Sequence, residues 1–103
     1  MVCAYAQDVP IDAEQYWKII DELGPQPMAG QLLHLCLRRP EGGLYYLDVW
    51  EDEDSCTRAF EERVHPAVDR AFGGRRPSGE PVVHPLDVLD ARGPGFESAD
   101  RRR

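Results

Sequence analysis

A histidine and an aspartate on two neighbouring predicted strands are the residues best placed for chemistry. In QLLHLCLRRPEGGLYYLDVW, residues 31–50, two strands flank a glycine-containing turn. If that turn centres on Glu41, His34 lies directly opposite Asp48. A carboxylate beside an imidazole fixes its tautomer and raises its basicity, so His34 would act as a general base that Asp48 orients. A cross-strand hydrogen bond in a tight core is the alternative interpretation.

Two aromatic residues share this face of the hairpin with the pair. Strand alternation puts Tyr46 and Trp50 on the same side as Asp48. The same register places Cys36 opposite Tyr46 and Leu32 opposite Trp50. Tyr46 and Trp50 can stack on an aromatic ligand or serve as ordinary core aromatics.

The other face of the hairpin is almost purely apolar. A register shifted by one residue would mix the two faces, so the pattern favours the register with His34 opposite Asp48. In one arrangement, the aliphatic face packs under the helices and the mixed face meets solvent. In the other, the aliphatic face is buried against another subunit and the mixed face surrounds a cavity beneath the helices. The pattern leaves both open. The aliphatic set is Leu33, Leu35, Leu37, Tyr45, Leu47 and Val49.

The first third of the chain predicts a strand and a helix. Residues 1–9 have the pattern of a strand that Pro10 ends. A helix is predicted over residues 12–23, where Asp12 caps the first turn and Gln15 completes a capping box. Gly24 then ends this helix.

A long amphipathic helix follows the hairpin. Asp52 is its predicted cap, and apolar residues recur at helical spacing as far as Phe72, before Gly73 and Gly74. Pro66 lacks the donor that an α-helix requires, so a kink or break is expected at His65.

The last strand completes a βαββαβ order. It is predicted over residues 81–90, and Pro85 weakens it or confines it to a sheet edge. This order predicts an α+β, ferredoxin-like fold: an antiparallel four-stranded sheet with two helices on one face. A loop at 75–80 is expected before this strand. We expect a single domain over residues 1–91 and a disordered tail over residues 92–103.

Composition bounds the function classes. The 103 residues carry a net charge of −7, which argues against nucleic acid as a partner. No apolar run is long enough to span a membrane and the start lacks a signal-peptide pattern, so we expect a cytoplasmic protein. Three widely spaced cysteines suggest reduced thiols. Known metal and phosphate-binding motifs are absent from the sequence, so nothing in it demands a metal or a cofactor.

Four further residues are candidates for binding a ligand. Tyr16 lies on the inner face of the first helix and can reach a cavity, or it can pack against Ile11. Cys36 lies on the pocket side of the hairpin without a basic neighbour in sequence to activate it. His65 and His84 each adjoin a proline and are interpreted as structural or as pocket residues.

The chain resembles the dimeric α+β barrel superfamily, and within it the small antibiotic-biosynthesis-monooxygenase-like proteins. The resemblance covers roughly residues 1–91 and is carried by AEQYWKII, QLLHL, LDVWEDEDSCTRAFEERVHPAV and EPVVHPLDVL. It implies a homodimer whose two sheets close into a barrel, with a pocket between sheet and helices in each subunit. It also implies that Trp50 lines this pocket. The haem-degrading branch has a ligand histidine where this chain has Phe60, which argues against haem degradation.

These observations predict a cofactor-independent enzyme of secondary or aromatic metabolism. It would be a monooxygenase or a cyclase acting on an aromatic or polyketide-like substrate. His34 would be the base, Asp48 its orienting partner, and Tyr46 and Trp50 an aromatic cage. A non-catalytic dimeric ligand-binding or accessory protein with the same cavity is the alternative, and a purely structural dimer is a third.

Overall fold

Strands and helices alternate in the predicted βαββαβ order. The computed structural model describes residues 2–75 and 81–93. Its elements are β1 (Cys3–Val9), α1 (Ala13–Leu23), β2 (Gln31–Arg38), β3 (Leu44–Trp50), α2 (Glu53–Ala59), a π-helical segment (Phe60–Val64), α3 (His65–Ala71) and β4 (Val82–Leu86).

The last strand, β4, is shorter than predicted. It spans Val82–Leu86 instead of residues 81–90. Residues 76–80 of the predicted loop and 94–103 of the predicted tail lie outside the described residues. None of the described helices is long and apolar enough to cross a membrane. A cytoplasmic location stays a prediction.

The four strands form one antiparallel sheet in the order β2-β3-β1-β4. Two helical segments, α1 and the run from α2 to α3, lie over one face of the sheet. This is the predicted ferredoxin-like α+β fold. His34 aligns with Asp48 and Cys36 with Tyr46, so the predicted hairpin register is confirmed over this region.

The predicted pairing of Leu32 with Trp50 is wrong. Gln31 is the partner of Trp50, and the register shifts between Gln31 and Leu33. The irregularity accommodates one extra residue in β2, as in a β-bulge. Alternation therefore predicts the facing residues only as far as Leu33.

Helix α1 begins with the predicted capping box. The Asp12 side chain accepts a hydrogen bond from the Gln15 backbone N–H at 2.8 Å, and the Asp12 N–H donates to Gln15 Oε1 at 3.0 Å. These bonds satisfy donors that the first helical turn leaves unpaired. Tyr16, in the next position, is thereby fixed at the start of the helix.

Two arginines of the helical segment that runs from α2 to α3 bind the C-terminal end of α1. That end carries no basic residue of its own. Arg70 donates both to the side chain and to the backbone carbonyl of Glu22, at 3.1 and 3.0 Å. These bonds satisfy helix-terminal carbonyls and place positive charge at the negative end of the helix dipole. Arg63 donates to the carbonyls of Leu23, Gln26 and Pro27 at 2.9 to 3.1 Å.

Pro66 is accommodated by a wider helical turn instead of a break. The His65 N–H donates to the carbonyl of Phe60, five residues earlier, and the α-helix resumes at His65. The predicted irregularity at His65 is therefore displaced to residues 60–64. A π-helical turn absorbs the irregularity while the chain stays helical.

The orientation of the sheet agrees with the arrangement in which the mixed face of the hairpin surrounds a cavity beneath the helices. The mixed face lies beneath the helices, where Trp50 is 1% exposed. On the opposite face, Leu35, Leu37 and Leu86 are each about 40% exposed or slightly more (39, 43 and 46%). These side chains are partly exposed in the single chain, whereas Val49 on the same face is buried.

Gly30 and Gly24 make a matched pair for testing a close approach in the fold. Their φ angles are 84° and 85°, so an L side chain is strained at both. A Cβ at Gly30 would lie 2.4 Å from Ser55 Cβ, whereas a Cβ at Gly24 would meet nothing within 4 Å. We expect Gly30→Ala to lower the free energy of unfolding by about 1–3 kcal/mol more than Gly24→Ala, because it also overpacks the contact. Urea denaturation measures both, and equal losses would contradict the contact.

Candidate functional site

A cavity of about 310 Å³ separates the sheet from the helices. This volume lies near the lower end of the range of about 300–1,000 Å³ that is usual for small-molecule sites. The lining is largely apolar with a few polar groups, which is also typical of ligand pockets. The sheet contributes Gln7, His34, Tyr46, Asp48 and Trp50, and the helices contribute Tyr16, Ile20, Leu23, Phe60, Val64, His65, Val68 and Phe72.

Three lining residues form a hydrogen-bonded chain. The Tyr16 hydroxyl is 2.9 Å from His34 Nε2, and His34 Nδ1 is 2.5 Å from Asp48 Oδ1. Tyr16 and Asp48 are buried, and the His34 side chain is 28% exposed. We call these three residues the Tyr-His-Asp relay.

The hydrogen-bond directions in the relay follow from the chemistry of its groups. An ionised carboxylate can only accept, so Nδ1 of His34 carries the proton and donates to Asp48. Nε2 of the neutral imidazole is then an acceptor, and the Tyr16 hydroxyl donates to it. The Tyr16 oxygen keeps acceptor capacity for another partner.

Three separate elements bring the relay together. The hairpin register places His34 on β2 opposite Asp48 on β3. The capping box starts α1 so that Tyr16 falls on its buried face. The contact between Tyr16 and His34 joins residues 18 positions apart, so it depends on α1 packing over the sheet.

Tyr46 supports the rings of the relay from the side. Its ring lies edge-on to that of Tyr16, with centroids 5.7 Å apart, and to that of His34, at 5.3 Å. Such edge-to-face contacts are favourable and restrict the orientation of each ring. Tyr46 therefore positions the relay as well as lining the cavity.

Burial makes the tyrosines of this region hard to ionise. Desolvation, with smaller effects from Cys36 and Asp48, raises the pKa of Tyr16 to about 12. Desolvation also raises the pKa of Tyr46 and of Tyr5 well above the usual value for a phenol. The wall of the cavity thus disfavours phenolate anions.

Trp50 is both a wall residue and part of the core. Its Nε1–H donates to the Tyr5 hydroxyl at 3.3 Å, and its ring centroid lies 6.3 Å from that of Phe60. It packs in one cluster with Tyr5 and Ala59. The two interpretations of Trp50, cage and core, therefore describe different sides of one indole ring.

The remaining predicted binding residues fall in different places. His65 lines the cavity and lies edge-on to Phe60, with centroids 5.8 Å apart. Cys36 is not part of the cavity lining, and burial raises the pKa of its thiol, which disfavours a reactive thiolate. His84 is on the opposite sheet face, where it contacts Asp8 at 3.0 Å.

Strand alternation explains the position of His84. In β4, His84 pairs with Ala6 on the outer face, while Val83 pairs with the cavity residue Gln7. His84 therefore faces away from the cavity. The same alternation within β1 could have identified Gln7 as a lining residue.

The described residues contain no ready-made metal centre. Within residues 2–75 and 81–93, no group of three or more His, Cys, Asp or Glu side chains is arranged to hold a metal ion. The polar groups of the cavity instead form the hydrogen-bonded relay.

Solved structures of the same architecture cover nearly the whole chain. A candidate antibiotic biosynthesis monooxygenase from Caulobacter crescentus is 20% identical, with a TM-score of 0.66 over 86% of this chain and 91% of that one. A second candidate of that name, from Chloroflexus aurantiacus, is 17% identical, with a TM-score of 0.55 over 89% and 98%. The chain shares the ferredoxin-like α+β fold of these two structures.

A third structure with this fold is Rv0793 from Mycobacterium tuberculosis. It is 14% identical, with a TM-score of 0.62 over 89% of this chain and 98% of that one. No protein-family model and no curated protein matches the sequence. At these identities the likeness shows the α+β fold alone, and the chemistry has to be argued from the site.

Tyr16 should make stability fall at alkaline pH. Its folded pKa of about 12 exceeds the ordinary value of 10, so its contribution is complete below about pH 10 and is lost as pH rises towards 12. We expect the free energy of unfolding of Tyr16→Phe to fall less steeply over this interval than that of the unmodified protein. Urea denaturation at a series of pH values measures both slopes, and identical slopes would exclude a raised pKa at Tyr16.

Proposed function

We propose that the protein is a cofactor-independent oxygenase of phenolic or polyketide-like aromatic substrates. The observation that carries this proposal is the Tyr-His-Asp relay in the wall of a largely apolar cavity. A proton acceptor inside such a cavity suits deprotonation of a weakly acidic aromatic molecule.

The relay suggests how the substrate proton leaves. A substrate hydroxyl donates to the Tyr16 oxygen while Tyr16 passes its own proton to Nε2 of His34. Asp48 then stabilises the imidazolium through Nδ1–H. In this mechanism Tyr16 contacts the substrate, and His34 acts as the base through Tyr16 instead of directly.

The deprotonated substrate is electron-rich and can react with dioxygen itself. For an activated methylene carbon the balance is R₂CH₂ + O₂ → R₂C=O + H₂O: the carbon loses two hydrogens and gains one oxygen atom. The other oxygen atom leaves as water, which takes up the proton held by the relay. The protein orients the ring between Tyr46 and Trp50 and excludes solvent. The names of the Caulobacter and Chloroflexus structures support oxygenation over cyclisation.

Anthrone is a suitable probe because two aromatic rings and a carbonyl activate its methylene group, and its enol tautomer, anthranol, carries the hydroxyl that donates to Tyr16. We expect the protein to accelerate oxygen uptake and anthraquinone formation in equal amounts. Tyr16→Phe and His34→Gln should each lower the rate by about 100-fold or more, because they interrupt proton transfer. His34→Gln should change anthrone binding little, whereas Tyr16→Phe should weaken it by about 10-fold, because it also removes the hydrogen bond to the ligand. Leu89→Ala, at a position that is 81% exposed, is the control. An oxygen electrode and absorbance follow the reaction, and equal rates in all variants would exclude the relay.

A ligand-binding protein without turnover is the second candidate. It is favoured by the hydroxyl of Tyr16, which already occupies the acceptor nitrogen of His34. Saturable binding of anthrone without oxygen uptake would support this function. Product formation from a polyketide-like substrate without oxygen uptake would instead indicate a cyclase.

We also propose that a second copy of the chain covers the aliphatic sheet face. The exposed side chains of Leu35, Leu37 and Leu86 support this, because such an apolar surface is unfavourable in water. Asp8 contacts both Arg39 and His84 on the same face and provides a polar border. The family resemblance implies the same assembly.

Charge on the aliphatic face should separate the subunits. We expect Leu35→Asp to convert a dimer to a monomer, because the carboxylate would be buried against apolar side chains. Trp17→Gln removes an equally large exposed apolar group from α1 and should leave the dimer intact. Sedimentation velocity measures both. A monomeric unmodified protein at micromolar concentration would contradict the proposal.

A further inference from the structure

We infer that the cavity selects uncharged molecules that offer a hydroxyl proton to Tyr16, and rejects carboxylates, phosphates and sulfates. This inference deepens the proposed function and rests on its assignment of the cavity as the ligand site. It concerns binding and does not require turnover.

The first support is the direction of the hydrogen bonds in the relay. Tyr16 has one hydroxyl proton, which it donates to His34. The one N–H of the neutral His34 ring is directed to Asp48. The Tyr16 oxygen also lies within hydrogen-bonding reach of the Cys36 thiol and keeps acceptor capacity for a ligand, whereas the relay has no proton left to donate. A ligand hydroxyl satisfies that acceptor, whereas a carboxylate can only accept and finds no donor in the relay.

The second support is the charge of the relay. Asp48 is a buried carboxylate whose side chain is 5% exposed, and its partner His34 is neutral in the arrangement above. The relay then carries a net negative charge. An anionic ligand would meet like charge at a place where solvent screens it poorly. Desolvation, with a smaller contribution from Asp48, raises the pKa of Tyr16 and that of Tyr46, so burial in this wall also disfavours negative charge.

The third support is where the positive charges of the described chain lie. Arg63 and Arg70 bind the end of α1, and Arg39 pairs with Asp8 on the other sheet face. The other polar side chains lining the cavity include the neutral amides of Gln7 and Gln31. Over residues 2–75 and 81–93, no Lys or Arg lines the cavity. His65 does line it, but it is exposed to solvent and packs against Phe60.

The shape of the cavity adds a length to the ligand. Tyr16 and Leu23 both line it, from the first and last turns of α1, which are roughly 10 Å apart at the rise of an α-helix. Beyond the relay the lining is largely apolar, with Met28 and Phe72 among the residues. The ligand is accordingly an elongated aromatic molecule with a hydroxyl group at the relay and an apolar body.

Three naphthalenes of similar size test the inference by calorimetry at pH 8 with the unmodified protein. 2-Naphthol is uncharged and donates, 2-methoxynaphthalene is uncharged and cannot donate, and 2-naphthoate is an anion. We expect 2-naphthol to bind about 10-fold tighter than 2-methoxynaphthalene because of one hydrogen bond. It should bind at least about 100-fold tighter than 2-naphthoate, because of the buried charge.

Removing the charge of Asp48 should narrow the difference between 2-naphthol and 2-naphthoate. We expect Asp48→Asn to gain about 10-fold or more in affinity for 2-naphthoate, because the repulsion is gone. Asp8→Asn removes a carboxylate on the other sheet face and should change none of the three affinities. Circular dichroism establishes that each variant is folded.

Two results would overturn the inference: 2-naphthoate binding as tightly as 2-naphthol to the unmodified protein, or no binding of any of the three compounds. The ligand series alone decides the matter if Asp48→Asn fails to fold. Because no reaction is measured, selective binding together with a failure to oxidise anthrone would reject the oxygenase and leave the selectivity intact.

Discussion

The buried carboxylate of Asp48 is the constraint on which the architecture of the site depends. A carboxylate beneath two helices is costly unless a hydrogen-bonding partner accompanies it. The partner here is His34, one strand away, and the second nitrogen of His34 requires a partner in turn. Tyr16 supplies it from α1. The sheet and the first helix are therefore joined by a polar contact across an otherwise apolar interior, and the same contact gives the cavity its chemical character.

Much of this arrangement can be predicted from the hairpin alone. Residues on one strand face alternate, and the glycine-containing turn limits the possible registers, so the pairing of His34 with Asp48 follows from local rules. The pairing of Leu32 with Trp50 does not, because nothing in the sequence QLL marks the extra residue at the start of β2. Pro66 predicts an irregular helix, but the π-helical turn that accommodates the proline lies before it in the chain, at residues 60–64. A proline removes a donor without dictating which preceding carbonyls are rearranged.

The relay illustrates a different limit. Tyr16 fits both a local packing motif and a cavity, and sequence cannot choose between them because its hydroxyl meets His34 only after α1 has packed on the sheet. The direction of that hydrogen bond changes the role of His34 from a direct base to one that acts through a tyrosine. Cys36 and His84 show the complementary limit. Their chemistry suggested a ligand site, but a position beside the wall and a position on the far face keep them from the cavity.

The attachment of Arg63 to the end of α1 has a mechanical consequence. Arg63 belongs to the π-helical segment, and two other residues of that segment, Phe60 and Val64, line the cavity. The guanidinium of Arg63 donates to the Leu23 carbonyl at the end of α1. The opposite end of α1 carries Tyr16. The arginine contact thus joins the two helical segments, and we expect them to move together over the cavity. A ligand too thick for the cavity could not displace one helical segment alone. It would have to displace both, and this would move the Tyr16 hydroxyl away from the His34 ring.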